Sequence, residues 1–389
     1  MNAAGGVPLL PELGRLAEDT VRRAKVPGVA VAVVDGDQVA GAAAAGSADL
    51  AEAARMTVAG ACNWFSMTKI ATATAAMMLG EHGSLDLDAP VVRYLGDAWP
   101  EAFSDVRVRH LLNHSSGLFN PIPIRWVHRA GDPRPDPAAF LYRQLARQKR
   151  PRFAPGTRAA YSNIGYLALG EVIAAASGGP YETFVREHLL TPLGMTRTAF
   201  SWADPALSGS PRVTAHQRLA PPLTPLLAAY LPRGIVGRRT GRYVALEAFE
   251  LDGAAYAGLI GPVTDAARLV ALHANRGSVE GVRLLRPGSV EAMTDITTSG
   301  HPYDLGLGRF PYEVGLGWFR RDHDARGVGQ FGGGMGYWHM LRLHPRSGRG
   351  AAVMSNTTHH WDITAFADAA IDVTVGAGSR RSPDRPRSR

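Results

Sequence analysis

Short apolar segments of strand length lie near both ends of the chain. Val26–Asp35 and Gln38–Gly46 flank a glycine-containing turn and predict a β-hairpin. Near the C-terminus, strands are predicted at Val314–Arg321, Trp338–His344 and Arg349–Asn356. Between the first two of these, the glycine-rich segment Val328–Gly336 is predicted to be a connection.

The middle of the chain is predicted to be helical instead. Asn163–Ala176 and Tyr181–Leu190 have clear helix patterns, Val106–Asn113 predicts another helix, and Cys62–Gly80, which is apolar, rich in Ala and Met and free of breakers, predicts a buried one. Two proline-rich stretches, Pro121–Pro137 and Pro205–Pro232, predict long surface loops or lid elements. Further helices are predicted near the ends, at Leu9–Val21, Gly258–Asn275, Pro287–Thr294 and Thr364–Val375.

Terminal strands can share one antiparallel sheet only if the chain returns to its start. We therefore expect an α+β fold, with an antiparallel sheet flanked by helices and an inserted all-helical lobe. The expected units are a sheet lobe from residues 1–80 and 250–376, a mainly helical lobe from 81–249, and a disordered basic tail from 377–389. A cleft is expected between the two lobes.

Composition narrows the class of protein. The chain has 389 residues, 46% apolar and 20% charged, as is typical of a globular enzyme. No apolar run reaches the roughly 20 residues of a membrane span, and no leader pattern opens the sequence, so we expect a cytoplasmic protein without membrane contact. The net charge of +8 comes with no nucleic-acid motif, so no nucleic-acid partner is expected. The oligomeric state is left open.

Lysine is scarce, which draws attention to one position. Of the 42 basic residues only Lys25, Lys69 and Lys149 are lysines. Arginine cannot lose its proton in a protein, whereas a buried lysine can. A position that keeps lysine in an arginine-dominated chain is therefore a candidate for proton-transfer chemistry.

Ser66 and Lys69 are three residues apart at the start of a predicted helix. This spacing lets the hydroxyl and the amine meet on one helix face. Burial would lower the lysine pKa, and a neutral amine could then take the serine proton. Taken alone, the pattern is equally well explained by a serine and a lysine that share a helix by chance.

Two later segments could complete such a site. Tyr161-Ser162-Asn163 offers a phenol that can relay protons and an amide that can orient a carbonyl, although it could equally be a helix cap with a packed aromatic. Phe331-Gly332-Gly333-Gly334 could bring backbone N–H groups close to a substrate, or could be a flexible turn.

In order, spacing and context, these segments resemble the serine β-lactamase and penicillin-binding-protein superfamily. The chain is most similar to its class C β-lactamase-like branch, which includes D,D-peptidases, family VIII carboxylesterases and related acyltransferases. The similarity runs from about Val26 to Val375. Further segments that carry it include Leu111–Leu118, Pro155–Gly170, Pro192–Met195 and Tyr312–Trp318.

The resemblance implies a role for each residue. Ser66 would be acylated, Lys69 would be its base, and Tyr161 would relay the proton to the leaving group. Asn163 and Phe331 would contact the substrate. The backbone N–H groups of Ser66 and of Gly333 or Gly334 would form the oxyanion hole. No metal or cofactor is implied.

The third segment departs from the pattern of β-lactam-binding members. Those usually have Lys-Thr-Gly, or histidine in place of the lysine; here the equivalent position is Phe331 or Gln330, and both are uncharged. We therefore expect an esterase that acts on small neutral acyl esters. The alternatives are a β-lactamase or D,D-peptidase, an acyltransferase, and a non-catalytic binding protein on the same scaffold.

The other candidate residues are expected to be structural. For His114 we expect a hydrogen-bonding role at a helix end. For the pairs His339/His344 and His359/His360 we expect surface or core histidines and no metal site. Adjacent residues on a strand point to opposite faces, and no carboxylate spacing completes a site. Cys62 is expected to be a small buried residue.

Overall fold

The computed structural model describes residues 7–121, 123, 125–300, 312–321, 324–359 and 361–378. In these ranges the α-helices are α1 (Pro11–Ala24), α2 (Thr68–Glu81), α3 (Val92–Leu95), α4 (Val108–Leu112), α5 (Pro137–Leu145), α6 (Asn163–Ser177), α7 (Tyr181–Val185), α8 (Thr224–Tyr230), α9 (Ala254–Ala257), α10 (Val263–Ala274), α11 (Pro287–Thr294) and α12 (Ile363–Gly378). Single 3-10 turns lie at Phe65–Met67, Gly96–Ala98, Glu101–Phe103, Pro205–Leu207 and Pro221–Leu223, and a π-helical turn at Arg186–Leu190.

Strands from both ends of the chain build one antiparallel sheet. Among the described residues its nine strands are, in spatial order, β13 (Thr298–Gly300), β14 (Tyr312–Val314), β15 (Phe319–Arg321), β16 (Val328–Gly334), β17 (Tyr337–His344), β18 (Arg349–Ser355), β1 (Gly28–Asp35), β2 (Gln38–Asp49) and β3 (Ala54–Arg55). The two ends meet where β1 pairs with β18, with Val29 opposite Ser355. The predicted antiparallel sheet is confirmed, as is the hairpin of β1 and β2.

The sheet separates two apolar layers. Because side chains alternate along a strand, Val29 and Val31 of β1 join the layer under α1 and α12, whereas Ala30 and Ala32 join the main core under α10. The main core also contains α2, whose side chains are buried from Thr68 to Leu79. The main core positions the functional site.

The central part of the chain carries the expected helices, and short strands as well. In the described residues, β5 (Val127–Arg129) pairs with β9 (Phe249–Leu251), and β6 (Ala215–Arg218), β7 (Val236–Thr240) and β8 (Tyr243–Leu246) form a small sheet. The two proline-rich stretches that were predicted to be loops thus contain β5, β6 and the short helix α8. Two further pairs join β4 (Ala61–Asn63) to β10 (Ile260–Pro262) and β11 (Ser278–Val279) to β12 (Val282–Arg283).

The prediction of one helix over Cys62–Gly80 is wrong at its start. The chain first forms strand β4, then a 3-10 turn, and enters α2 only at Thr68. The reason is tertiary: β4 pairs with β10, and Phe65 adopts a left-handed backbone conformation that no continuous helix permits.

The glycine-rich segment Val328–Gly336 is a strand for most of its length, not a connection. Val328–Gly334 forms the ladder of β16 with β17, and pairing with a neighbour outweighs the poor strand propensity of glycine. The predicted strand Val314–Arg321 is instead split into β14 and β15 by a turn in which Gly317 has φ +112°. The final helix reaches Gly378, and the rest of the expected basic tail lies outside the described residues.

Candidate active site

Ser66 lies in a strained turn directly before α2. The preceding residue, Phe65, has φ +51°, a conformation that is uncommon for an aromatic residue. Its ring packs against Phe249 and Tyr337, with centroid distances of 6.2 and 6.1 Å. Packing of the surroundings thus holds the backbone that presents Ser66, as is often the case for strain stored at functional sites.

The Ser66 hydroxyl has two side-chain partners. Lys69 Nζ lies 3.0 Å from Ser66 Oγ, and the Tyr161 hydroxyl donates to the same oxygen at 2.5 Å. Lys69 comes from the next turn of the chain, as its spacing predicts, whereas Tyr161 comes from the segment before α6.

Lys69 is fully buried, and its surroundings are polar but uncharged. Its amine lies 2.9 Å from Asn163 Oδ1 and 2.9 Å from the carbonyl oxygen of Tyr256. Burial lowers the pKa of Lys69 well below its usual value, because the ammonium form loses its hydration. The other two lysines, Lys25 and Lys149, are exposed.

The contacts of Lys69 can be made by the neutral amine that its lowered pKa favours. A neutral amine has two hydrogens and one lone pair, whereas an ammonium has three hydrogens. The Asn163 and Tyr256 oxygens can only accept, so they take two hydrogens. The third direction, toward Ser66 Oγ, is then available for the lone pair, which can accept the serine proton.

Tyr161 shows the opposite electrostatic response to burial. Burial raises the pKa of its phenol above the usual value, because here the charged form is the deprotonated one. Tyr161 therefore carries its proton at neutral pH and donates to Ser66. Two buried residues in an uncharged environment are thus held as a proton acceptor and a proton donor, and both contact the same hydroxyl.

Asn163 is fixed at the first position of α6. The side chain of Ser162 caps this helix by accepting from the Gly165 N–H at 3.0 Å. The Asn163 N–H donates to Asn120 Oδ1 at 2.8 Å, while its own side-chain oxygen faces Lys69. The structure thus brings Ser66, Lys69, Tyr161 and Asn163 into one hydrogen-bonded group.

The glycines of β16 allow this strand to lie against the turn that carries Ser66. A Cβ atom at Gly332 would stand 2.2 Å from the Trp64 carbonyl oxygen, and one at Gly334 would stand 2.8 Å from the Phe65 ring. At Gly333 a Cβ would meet the Trp338 ring at 2.5 Å. A side chain at Gly332 or Gly334 would push β16 away from the turn that carries Ser66, whereas one at Gly333 would clash with Trp338 on the other face of the sheet.

Gln330 and Phe331 point to opposite faces of the sheet. Gln330 lies opposite Leu341, whose side chain belongs to the main core, and it is only 2% exposed. Phe331 lies opposite Met340 and stacks on Trp338 at 5.3 Å, in the layer with α1 and α12. Of the two candidate positions, Gln330 is therefore the one on the same face as Gly332 and the Ser66 turn. Phe331, predicted to bind substrate, stacks on the other face.

Several residues around the site were missed by sequence reasoning. Tyr256 contributes its backbone carbonyl to Lys69, and Asn120 orients Asn163 through its side chain. A backbone carbonyl has no sequence signal, and Asn120 lies in a proline-rich loop whose path only the folded chain decides. His114 was predicted to be structural, and its ring lies against Tyr161 at 4.7 Å.

The remaining candidates have structural partners. His339 joins Asn63 and Ser355 across the core, and His344 pairs with Asp368 at 2.8 Å. The Cys62 thiol is buried, and burial raises its pKa. Across the described ranges no group of three His, Cys, Asp or Glu residues could hold a metal ion. His360 lies outside those ranges. No described helix is both long and apolar enough to cross a membrane.

The geometry and the sequence lead to the same family. The sequence model of the family described as Beta-lactamase matches residues 13–374, nearly the whole chain. The chain therefore belongs to this family.

Individual relatives are distant. The D-alanyl-D-alanine-carboxypeptidase/endopeptidase AmpH of Escherichia coli (strain K12) is 30% identical over 174 residues, 44% of this chain and 44% of that protein. The chain therefore matches less than half the length of that relative. The octameric penicillin-binding protein homologue from Pyrococcus abyssi superimposes with a TM-score of 0.74 at 22% identity, over 94% of this chain and 77% of the other. The D-amino acid amidase from Ochrobactrum anthropi SV3 superimposes with a TM-score of 0.72 at 20% identity, over 94% and 99%. These two likenesses establish the fold.

Proposed function

We propose that this protein is an esterase that forms an acyl-Ser66 intermediate and acts on small neutral acyl esters. The observation that carries the proposal is the uncharged hydrogen-bonded group of Ser66, Lys69 and Tyr161. The uncharged Gln330 lies on the face of β16 that is turned toward this group. Such a site contains a nucleophile, a base and an acid, and Gln330 offers no ion pair to an anionic substrate group.

In acylation, Lys69 accepts the proton of the Ser66 hydroxyl as Ser66 Oγ bonds to the ester carbonyl carbon. Tyr161 then donates its proton to the ester oxygen as the bond from the carbonyl carbon to that oxygen breaks, and the alcohol leaves. The Lys69 ammonium returns a proton to Tyr161. The net result is that the Ser66 proton departs with the alcohol, and the enzyme carries an acyl ester.

The tetrahedral intermediate carries negative charge on the former carbonyl oxygen. We assign its stabilisation to the backbone N–H of Ser66 and to that of Gly333 or Gly334 on β16. Preorganised donors of this kind typically contribute on the order of 3 kcal/mol each to transition-state stabilisation. The close approach of β16 to the Ser66 turn, through Gly332, supports this assignment.

Deacylation repeats these steps with water. Lys69 and Tyr161 together remove a proton from the attacking water and return one to Ser66 Oγ when the acyl bond breaks. If an acceptor alcohol or amine replaces water, the same intermediate gives acyl transfer. Product analysis in the presence of such acceptors distinguishes the two outcomes.

A second candidate is hydrolysis of an amide, as in a D,D-peptidase or β-lactamase. The similarity to AmpH favours it, because that relative is described as a D-alanyl-D-alanine carboxypeptidase and endopeptidase. The same base and acid would serve an amide, with the proton from Tyr161 delivered to the leaving nitrogen. The uncharged Gln330 argues against it where the substrate carries a carboxylate.

The acyl-enzyme is tested by intact-mass spectrometry after exposure to p-nitrophenyl butyrate and to a fluorophosphonate probe. We expect a single adduct that is lost in Ser66→Ala. Ser116→Ala is the matched control, because Ser116 is also buried. In the described chain the Ser116 hydroxyl has one hydrogen bond, which it accepts from the Leu118 N–H. An adduct that persists in Ser66→Ala contradicts the proposal.

Substrate class is tested with a fluorescent penicillin and with nitrocefin, beside the ester. We expect ester turnover without stable penicillin labelling. In Gln330→Arg, whose side chain cannot lose its proton, a cation lies on the Ser66 side of β16, and reactivity with penicillin should rise relative to the ester. Rapid penicillin acylation of the wild-type protein would favour the second candidate.

A further inference from the structure

His114 contacts the protein on both sides of Tyr161. Its backbone carbonyl accepts from the Ala160 N–H at 2.8 Å, and its ring Nδ1 accepts from the Ser162 N–H at 3.1 Å. Between these two contacts, its ring lies against the Tyr161 ring at 4.7 Å. One residue therefore holds the residue before the tyrosine, the tyrosine itself and the residue after it.

The backbone of His114 makes this double contact possible. Its φ of +58° is in the left-handed region, which histidine, asparagine and aspartate enter more readily than most residues. The residue follows directly after Asn113, the C-cap of α4. The turn at the end of α4 thus directs both the carbonyl and the ring of His114 toward the Tyr161 segment.

The hydrogen bond to Ser162 also defines the state of the ring. A nitrogen that accepts an N–H must carry its lone pair, so the hydrogen of neutral His114 lies on Nε2. Burial lowers the pKa of His114 well below its usual value, which keeps the ring neutral. Its other ring contacts are aromatic, with Tyr166 at 5.0 Å and Phe319 at 5.3 Å.

We infer that His114 is a positioning residue for Tyr161: it holds the phenol at the Ser66 hydroxyl, where the proton for the leaving group is needed. This inference rests on the proposed function in one respect, since it takes Tyr161 as the acid of acylation. His114 itself touches neither Ser66 nor Lys69 in any hydrogen bond of the described chain.

The proposal makes a distinctive kinetic prediction. An ester with a good leaving group, such as p-nitrophenyl butyrate, needs little protonation of the departing oxygen, whereas methyl butyrate needs it fully. Misplaced Tyr161 should therefore lower kcat/KM for the methyl ester more than for the p-nitrophenyl ester. A displacement of about 1 Å can cost on the order of a hundredfold in rate. We therefore expect kcat/KM for methyl butyrate to fall about tenfold to hundredfold more than kcat/KM for p-nitrophenyl butyrate.

Two variants separate the contacts of His114. His114→Asn tolerates the left-handed backbone and keeps an acceptor for Ser162, but removes the ring. His114→Phe keeps a ring against Tyr161 and removes the acceptor. Both should show the leaving-group selectivity, with Tyr161→Phe as the reference for complete loss of the proton donor.

The matched control is His273→Asn. His273 is another buried, neutral histidine, and it bonds Thr74 and Trp318 away from Ser66. Its loss should lower stability and reduce turnover of both esters in equal proportion. If the His114 variants behave like His273→Asn, the inference is overturned.

Two measurements do not depend on ester turnover. Crystal structures of the His114 variants should show the distance from Tyr161 hydroxyl to Ser66 Oγ lengthened beyond hydrogen-bonding range, and an unchanged distance overturns the inference. In the wild-type protein, ¹⁵N NMR of the histidine rings should show His114 with its hydrogen on Nε2 throughout the neutral pH range. An Nδ1–H tautomer overturns it, since such a ring cannot accept from Ser162. If the wild-type protein hydrolyses neither ester, the proposed function fails while these two measurements still judge the positioning role.

Discussion

The pKa values of two buried basic residues of this protein are shifted in opposite directions. Lys69 is surrounded by a hydroxyl, an amide, a carbonyl and aromatic rings, and its pKa falls. His128 lies in a charged cluster, defined here as His128, Arg134, Glu250 and Asp252. Its hydrogen bond to Asp252 at 2.7 Å and its ion pair with Glu250 at 3.4 Å raise its pKa to about 9.

The two sites are close in sequence and in the fold. Asp252 lies only four residues before Tyr256, whose carbonyl contacts Lys69. The two sites differ in the partners of the basic group. Lys69 contacts acceptors that carry no charge, whereas His128 contacts two carboxylates. A buried amine becomes a base when no counterion accompanies it, and a buried imidazole becomes a fixed cation when two do. The first arrangement suits chemistry and the second holds β5 against β9.

The largest effect is expected when Lys69 can no longer lose its proton. Lys69→Arg keeps a basic side chain but stays charged, so it cannot act as the base. General-base catalysis typically contributes about 10²- to 10⁴-fold, and we expect a loss of about 10³-fold or more in kcat/KM for p-nitrophenyl butyrate. Activity retained within a few-fold would mean that Lys69 serves only as a cation.

A second substitution gives Lys69 the kind of partner that His128 has. Asn163→Asp places a carboxylate 2.9 Å from the position of the amine and should raise the Lys69 pKa, since an opposite charge at this range shifts a pKa by about 1–3 units. The base is then protonated at neutral pH, so kcat/KM falls there and recovers as pH rises. The pH profile of ester hydrolysis measures this.

Asn163→Ala is the control for that profile. It removes the same acceptor without adding charge, so its activity should fall without recovery at alkaline pH. A profile of Asn163→Asp that parallels Asn163→Ala would show that hydrogen bonding at this position matters and charge does not.

The reverse change removes a counterion from His128. Asp252→Asn should destabilise the protein by about 2 kcal/mol, the typical worth of a hydrogen bond to a charged group. Because the folded pKa of about 9 lies above the unfolded value of about 6.5, the stabilisation is fully present below pH of about 6.5 and is lost as pH rises through about 9. Urea unfolding across this range should show a shallower pH dependence in the variant.

The control for Asp252→Asn is a carboxylate on the surface. Asp35 pairs with Arg349 and is half exposed, so Asp35→Asn should leave the pH dependence of unfolding as in the wild-type protein. If both variants change it equally, His128 is not the group responsible.

The smallest effect is expected at the exposed lysines. Lys25→Arg and Lys149→Arg should leave kcat/KM within about twofold, because substitutions on the surface usually change free energies by less than about 0.5 kcal/mol. The same substitution that removes activity at Lys69 is then neutral at the other two lysines. A large loss of kcat/KM in Lys149→Arg would contradict the interpretation that, of the three lysines, only Lys69 is kept for proton transfer.

Much of the fold could be predicted from periodicity. The hairpin of β1 and β2, strands β17 and β18, and helix α6 lie within a few residues of their predicted bounds, because their apolar patterns match their burial. The start of α2 and strand β16 could not be predicted. Local propensity favours a helix through Phe65 and a loop through the glycines, and tertiary pairing overrides both.

The sequence by itself predicted that Ser66 and Lys69 meet, since their spacing places them one helical turn apart and arginine dominates elsewhere, and Lys69 Nζ lies 3.0 Å from Ser66 Oγ. It also predicted Tyr161 and Asn163 beside them, and both are hydrogen-bonded to this pair. Only the tertiary structure decided that Gln330, and not Phe331, lies on the face of Ser66, and that Lys69 has no carboxylate beside it in the described chain. The physical reason is that strand register and long-range packing set which groups surround a charge, and those surroundings set its pKa.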